Sequence, residues 1–302
     1  MTADRPDAAE AAQDRGNELF DGHRPLLFSI AYRMLGSVAD AEDMVQEAFL
    51  RWQKTPSDEI KSPRAFLVTV VSRLCINQLQ SARAKREEYF GPWLPEPILT
   101  GSAGDPWAAL STAESLSVAF LVLLERLTPT ERAVFLLREV FDYGYPEIAE
   151  ILGFSLANCR QLFRRARQHV TEGRPRFEPT PQERTDLLRH FLRAAQEGDM
   201  DGLVSLLAQD VVLYADGGGR ASAVVNPIYG PDRVARFIVQ GRRNLMPADV
   251  DRRETVINGQ LGVVAYSGRR PFGVLTIDVA GGLIRNIFIV TNPEKLERLP
   301  VL

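Results

Sequence analysis

The chain has 302 residues, 45% of them hydrophobic and 25% charged, with a formal net charge of −3 and two cysteines. That length holds two or three domains with separate cores. No run approaches the roughly 18–20 apolar residues that cross a bilayer, and Met1–Gly22 is polar without a signal-peptide core, so the composition excludes a membrane-spanning or disulfide-stapled class and predicts a cytoplasmic protein.

Residues 1 to about 18 lack an apolar stripe and are expected to form a frayed or disordered start. Order begins near Leu19, and Leu26, Leu27, Ile30, Ala31, Met34 and Leu35 sit at helical spacing up to Gly36. A second helix runs from Ala39 to about Lys54, with Val45, Ala48, Phe49 and Trp52 inward and Asp40, Asp43 and Glu47 along another side. Carboxylates in a first turn favour the helix dipole, which explains Asp40, Glu42 and Asp43 as capping. Glu47 lies beyond that turn, so an acidic strip offered to a basic partner is the competing explanation.

Ser62-Pro63 opens a third helix reaching the mid-80s through Phe66, Leu67, Val70, Val71, Leu74 and Leu79. Lys61–Arg86 holds six basic residues and no acidic one. Arg64, Arg73, Asn77, Gln78 and Arg83 share its polar side, and Lys85 and Arg86 end it. A basic face carrying amides suits contact with DNA backbone and base edges. Gly91–Pro106 is too proline-rich for a helix or a central strand. Within this linker Trp93-Leu94-Pro95-Glu96-Pro97 reads as a stiff segment that docks its Trp on a neighbouring surface.

Helices resume near Ala113 with Leu116, Phe120, Leu123 and Leu124. Thr128-Pro129-Thr130-Glu131 forms a capping box for another. Tyr145–Val170 then reads as a helix-turn-helix. Ile148, Ile151 and Leu152 form the stripe of a short first helix, Gly153 takes the left-handed position after it, and Ser155 caps the second. On that second helix Leu156, Cys159, Leu162, Phe163 and Ala166 face inward, while Asn158, Arg160, Gln161, Arg164, Arg165 and Arg167 face outward. Ser155–His169 contains four arginines and no acid. Such a face, with Asn and Gln able to bond adenine edges, points to major-groove readout. Cys75 and Cys159 fall on inward faces as buried thiols, and His23, His169 and His190 have no ligand spacing, so no metal site is expected.

After a hinge at Arg174–Pro181, Thr180-Pro181 caps a helix carrying Leu187, Leu188, Phe191, Leu192 and Ala195, and a short helix holds Leu203, Leu206 and Leu207. Strands are expected at Val211–Ala215, Arg253–Ile257, Gly262–Ser267, Phe272–Val279 and Leu283–Val290, with a helix from Pro231 to about Arg242. Helices followed by antiparallel strands indicate an α+β domain.

The order of elements resembles the extracytoplasmic-function sigma factors of bacterial RNA polymerase. Asp40-Ala41-Glu42-Asp43-Met44-Val45-Gln46-Glu47-Ala48-Phe49, the basic helix from Pro63 and the Tyr145–Val170 helix-turn-helix carry the resemblance. The tail is similar to a SnoaL-like domain found in a subgroup of that family. Trp93-Leu94-Pro95-Glu96-Pro97, Asp216-Gly217-Gly218-Gly219-Arg220 and Asn292-Pro293-Glu294-Lys295-Leu296 match that subgroup. The resemblance implies a multidomain fold of two all-α sigma modules, the second a helix-turn-helix, followed by an α+β SnoaL-like cone. The expected divisions are region 2 at 19–88, a linker at 89–112, region 4 at 113–173 and the tail at 180–302.

It further implies that Asp40, Glu42, Asp43, Gln46 and Glu47 bind core RNA polymerase. Arg64, Arg73, Asn77, Arg83, Lys85 and Arg86 would read minus-10 promoter DNA, and the second helix of the helix-turn-helix would read minus-35 DNA. Phe66 stands where many members carry tryptophan. Trp93–Pro97, Asp216–Arg220, Asn292 and Pro293 are expected to form a regulatory contact between linker and tail. No cofactor, catalytic residue or separate anti-sigma factor is expected, and the free chain is expected to be a monomer.

Two rival readings concern the tail. A SnoaL-like cone can be an enzyme that removes a carbon-bound proton, with candidates Tyr214, Asp216, Tyr229, Tyr266 and Asp278. Asp216, opening a triple glycine, reads instead as part of an exposed turn, and the loop lacks the lysine of a phosphate loop. The other rival is a helix-turn-helix regulator with a ligand-sensing tail. It leaves the second basic patch and the acidic strip without a role.

Overall fold

The computed structural model describes residues 8–86, 89, 91–100, 116–171, 180–219, 226–244, 247 and 249–302. In chain order the helices are α1 (Ala8–Leu35), α2 (Val38–Lys54), α3 (Pro63–Arg86), α4 (Val118–Leu124), α5 (Pro129–Glu139), α6 (Tyr145–Leu152), α7 (Leu156–Thr171), α8 (Pro181–Glu197), α9 (Met200–Leu206), α10 (Pro231–Asn244) and α11 (Pro293–Leu296). The strands are β1 (Leu207–Asp216), β2 (Ile228–Tyr229), β3 (Val250–Ile257), β4 (Gln260–Ser267), β5 (Arg270–Ala280) and β6 (Leu283–Val290). Two compact units form, one from Met1–Ala82 with Leu127–His169 and one from Arg83–Arg126 with Val170–Leu302. Among the described residues no helix is long and apolar enough to cross a membrane.

In the first unit α1 starts at Ala8, earlier than the polar composition of residues 8–18 suggests. Its early turns are held from outside. Phe20 meets Phe49 of α2 at 4.8 Å between ring centroids, and the Trp52 indole N–H donates to Gly16 O at 3.1 Å. Pro25 lies inside this helix, where it supplies no amide donor to the preceding turn. The buried run Leu27, Phe28, Ile30, Ala31, Met34 and Leu35 carries the helix past it. Ser37 caps α2, accepting from the Asp40 amide at 3.2 Å. Leu67, Val68, Val71 and Leu74 turn α3 inward. Cys75 and Cys159 are both buried, as their helical faces predict.

The helix-turn-helix closes as its residues dictate. Gly144 N–H donates to Glu147 at the start of α6, and Gly153 ends that helix at φ +71, where a Cβ would be strained. Ser155 accepts from the Asn158 amide at 3.2 Å to open α7. Ile148, Ile151, Cys159, Leu162, Phe163 and Ala166 are buried. Leu156, expected inward, is the first residue of α7 and is 38% exposed.

The second unit carries a six-stranded sheet in the order β2-β1-β6-β5-β4-β3. Alternate residues separate two apolar layers. Ile287 of β6 joins Leu213, Ile277, Val279 and Ile284 against Leu188, Phe191, Leu203, Val234 and Ala235 of α8, α9 and α10. Phe288 and Val290 join Val264, Tyr266 and Val274 beneath Leu94, Val118, Leu296 and Leu299.

Several expectations for this sheet need correction. It is mixed, because β1 runs parallel to β6 and sits inside the sheet. Such pairing joins strands far apart in sequence and leaves no local turn signal. Leu207, expected in a helix, begins β1 and is buried in the first of those layers. The two-residue β2 and the one-turn α11 are additional elements, too short to show periodicity. The Asn258-Gly259 turn joins β3 to β4 with both residues at positive φ.

Candidate functional site

On α2 the residues of the acidic strip divide by environment. Asp43 and Gln46 are exposed, whereas Asp40, Glu42 and Glu47 are half-buried. Asp40 accepts from Gln78 of α3 at 3.4 Å, and Glu47 pairs with Arg51 one turn on at 3.0 Å. An exposed i, i+4 pair of this kind contributes under about 0.5 kcal/mol and is easily given up to a stronger partner. On α3, Arg64, Arg73 and Asn77 are exposed on one helix. The side chains of Arg83, Lys85 and Arg86 lie outside the described residues. Phe66 packs its ring 6.2 Å from that of Trp52.

On α7, Asn158, Arg160, Gln161, Arg164, Arg165 and Arg167 are all exposed, as the helical period predicts. Two are already engaged. Arg165 Nε lies 3.3 Å from the buried carboxylate of Glu131, the capping-box residue of α5, and Arg160 stands 5.8 Å over the Tyr145 ring. Arg165 therefore also fixes α7 to α5, a structural duty that an outward helical position does not reveal. Other arginines of the first unit join sequence-distant elements. Arg132 donates to Met34 O at 2.6 Å in a buried bond, Arg64 Nε to the Tyr143 hydroxyl at 3.2 Å, and Arg73 Nε to Ile151 O at 3.0 Å. Arg33, buried and pushed down to about 10 by desolvation, stays charged at neutral pH and lies 5.7 Å over the Phe141 ring.

In the second unit the linker and tail motifs meet around one carboxylate. Asp216, at the end of β1, is 1% exposed, which corrects its reading as part of an exposed turn. Oδ1 accepts from the Tyr89 hydroxyl at 2.6 Å and the Gly218 amide at 3.0 Å. Oδ2 accepts from the Leu94 amide at 2.8 Å and from Lys295 Nζ at 2.7 Å. The lysine also donates to Leu94 O and stands 4.3 Å over the Trp93 ring. Asn292 donates to the Tyr89 oxygen at 3.0 Å and caps α11 through the Glu294 amide. Gly218 has φ +61, and a Cβ there would stand 2.4 Å from the Asn292 amide nitrogen, so glycine is required on both counts. Arg220 lies outside the described residues.

Burial, then the bond to Asp216, push the Tyr89 hydroxyl well above the usual phenol range, so it remains a proton donor to the carboxylate at any ordinary pH. The segment from Leu94 to Ile98 is buried throughout, so the deepest anchor of the linker is Leu94 at 1% exposure, while Trp93 is half-buried beneath the lysine. Glu96 approaches Arg298 at 3.6 Å. Beyond Pro97 the linker pairs with the sheet edge. Leu99 bridges Ile257, the Ile98 amide donates to Asn258 Oδ1 at 3.1 Å, and the Thr100 amide donates to Val256 O at 2.9 Å.

Sequence reasoning missed Tyr89 and Asn258 as parts of this contact. A tyrosine just past a helix carries no motif, and an asparagine before a glycine between two strands signals only a turn. The other tail candidates sit apart from Asp216 in role. Tyr214 stacks on Phe288 at 5.6 Å, Tyr266 is buried in the same layer, and burial raises both hydroxyls. Tyr229 is 60% exposed. Asp278 is raised by desolvation and accepts from Asn286 at 3.0 Å.

An acidic helix, a basic helix and a helix-turn-helix, followed by an α+β domain that clasps the linker between them, define a promoter-reading protein with a built-in accessory domain. Residues 19–85 match Sigma-70 region 2, residues 117–170 match Sigma-70, region 4, and residues 188–285 match the SnoaL-like domain. The ECF RNA polymerase sigma factor SigJ of Mycobacterium tuberculosis is 40% identical over 295 residues, 93% of each chain. The probable ECF RNA polymerase sigma factor SigI of the same organism is 36% identical over 279 residues, 92% of this chain and 93% of that one. The crystal structure of SigJ matches with a TM-score of 0.76 at 38% identity, covering 92% of this chain and 97% of that one. This chain belongs to the extracytoplasmic-function sigma factors, which bind core RNA polymerase and direct promoter-specific transcription initiation.

Proposed function

We propose that this sigma factor uses its SnoaL-like tail as a built-in regulator, and that the tail works by holding the linker between the two DNA-reading regions. The observation that carries the proposal is the buried Asp216 carboxylate, on which the linker (Tyr89, Leu94), the tail loop (Gly218) and the C-terminal segment (Lys295) all converge. A carboxylate has about four lone-pair sites, and four donors fill them, so Asp216 has none left with which to abstract a proton. In the tail this carboxylate therefore serves as a clasp and not as a base. The tail acts in the cytoplasm on a monomeric chain, without a separate anti-sigma protein.

On this reading Asp40, Glu42, Asp43, Gln46 and Glu47 meet core polymerase. Arg64, Arg73 and Asn77, with Arg83, Lys85 and Arg86, meet minus-10 DNA. Asn158, Arg160, Gln161, Arg164 and Arg167 meet minus-35 DNA, with Arg165 shared between DNA and Glu131.

Asp43→Arg combined with Glu47→Arg should weaken binding to core polymerase with little change in melting, since exposed helix charges alter stability by under about 0.5 kcal/mol. Titration of labelled protein with core enzyme reads this, and unchanged affinity removes the acidic-strip assignment. Arg160→Ala and Gln161→Ala should each cost about 1–3 kcal/mol on a cognate promoter and much less on random DNA. Arg167→Ala, as a phosphate contact, should weaken both alike and flatten the salt dependence. Equal losses on both DNAs for Arg160 and Gln161 contradict base readout.

A further inference from the structure

We infer that Glu131 is a positioning residue for promoter selectivity, acting through Arg165: its carboxylate holds that guanidinium at a fixed point on the DNA-reading face of α7. The inference rests on the assignment above of that face to minus-35 DNA. Glu131 itself is 5% exposed and reaches DNA only through the arginine.

The two oxygens of Glu131 serve different partners. Oε2 accepts from the Thr128 amide at 3.1 Å and from the Thr128 hydroxyl at 2.8 Å, which turns the carboxylate back onto the start of α5. Oε1 is left for Arg165, whose Nε stands 3.3 Å away. A guanidinium is a rigid planar fork, so fixing its Nε side also fixes the direction of its two terminal nitrogens. Half of the Arg165 side chain stays exposed. Gln161 lies one turn before Arg165 on the same face of α7, and Asn158 one turn before that. A held Arg165 therefore sets the depth and register at which those two amides meet base edges, the role that backbone contacts play on a duplex.

The pair outlasts DNA docking because its two ends differ in exposure. The Glu131 side chain is 7% exposed and that of Arg165 51%, whereas the Glu47–Arg51 pair on α2 is 43% and 48% exposed. Water replaces a lost partner at an exposed end. A buried carboxylate that loses its cation keeps only two neutral donors and bears its desolvation uncompensated. An arriving phosphate or base therefore takes the outer side of the fork and leaves the Glu131 side in place. Pairing also offsets the charge of the arginine. It weakens the attraction to phosphate that all sequences share, and keeps the directed contact that only the promoter completes.

The test compares the holoenzyme of the full-length chain on a promoter from which it initiates and on the same duplex with its minus-35 element scrambled. Glu131→Gln keeps the size of the side chain, and glutamine also closes a capping box, so the start of α5 is retained. The variant should lower the ratio of promoter to scrambled affinity roughly 5- to 30-fold, the loss of one directed contact, by weakening the first and strengthening the second. The released arginine should steepen the salt dependence on scrambled DNA by about 0.9 in logarithmic slope, one further phosphate. In an Arg165→Ala background Glu131→Gln should change neither quantity. A ratio that falls equally in both backgrounds shows that Glu131 acts through α5 alone and overturns the inference. If Arg165→Ala lowers the ratio while Glu131→Gln does not, the positioning is wrong and the DNA assignment stands. If Arg165→Ala leaves the ratio unchanged, both are wrong. Should Glu131→Gln fail to fold, Arg165→Lys at the exposed end decides. Lysine keeps the charge, but one ammonium cannot serve the carboxylate and DNA together, so the ratio must fall as far as with alanine. A ratio retained by lysine overturns the inference.

Discussion

Asp216→Asn is expected to cost about 3–5 kcal/mol in the second unit, the range for removing one partner of a buried ion pair and leaving the other uncompensated. The side chains involved are 0% exposed for Asp216 and 12% for Lys295. The asparagine keeps the shape but not the charge, and its amide brings donors to a place where four donors already converge. For a unit of this size the loss corresponds to a melting shift of roughly 6–20 °C. Lys295→Met should cost less, because three neutral donors still satisfy the carboxylate, and the double variant should be milder than the sum of its parts. Calorimetry of the four proteins reads the coupling directly. If Asp216→Asn melts like the parent, the carboxylate is not the clasp.

Truncation before Thr180 is the second large expectation. The layer above Phe288, Val290 and Tyr266 consists of linker residue Leu94, Val118 of α4 and C-terminal Leu296 and Leu299. Removing the tail strips Leu94, Ile98 and Val118 of their cover, and each side chain of this size gains about 1.5–3 kcal/mol from burial. The shortened chain should therefore bind a hydrophobic dye and self-associate, while α1, α2 and α3 keep their own buried core and their affinity for core polymerase. Its promoter activity should differ from that of the full chain by roughly 5- to 150-fold, the usual range of an intramolecular coupling. Light scattering, dye binding and transcription on one promoter test this together. A truncated chain that stays monomeric, dye-silent and equally active shows that the tail does not engage the linker.

The local devices were legible in the sequence because each is written within a few residues. Gly153 and Ser155 fix the turn of the helix-turn-helix, Thr128 and Glu131 fix the start of α5, and Asn258-Gly259 fixes a hairpin. The helical period also placed Asn158, Arg160, Gln161, Arg164, Arg165 and Arg167 on the exposed side of α7, though it turned Leu156 the wrong way. What could not be read locally are pairings between distant positions. Asp216 lies 127 residues from Tyr89, 122 from Leu94 and 79 from Lys295, and nothing near a triple glycine announces that its preceding carboxylate is buried. The parallel pairing of β1 with β6 and the early start of α1, held by Trp52 and Phe49, are nonlocal in the same sense. Motif likeness linked linker to tail, but it is the fold that buries Leu94 as the anchor and brings Tyr89 beside it.

Single-round transcription with core RNA polymerase and one promoter, comparing the full chain with Asp216→Asn and Trp93→Ala, tests the central claim most directly. Trp93→Ala removes a cation–π contact of about 0.5–2 kcal/mol, so it loosens the linker without leaving a buried charge. The account predicts initiation that depends on the added chain and changes several-fold in the same direction in both variants, with core affinity unaltered. Equal initiation by all three proteins contradicts it.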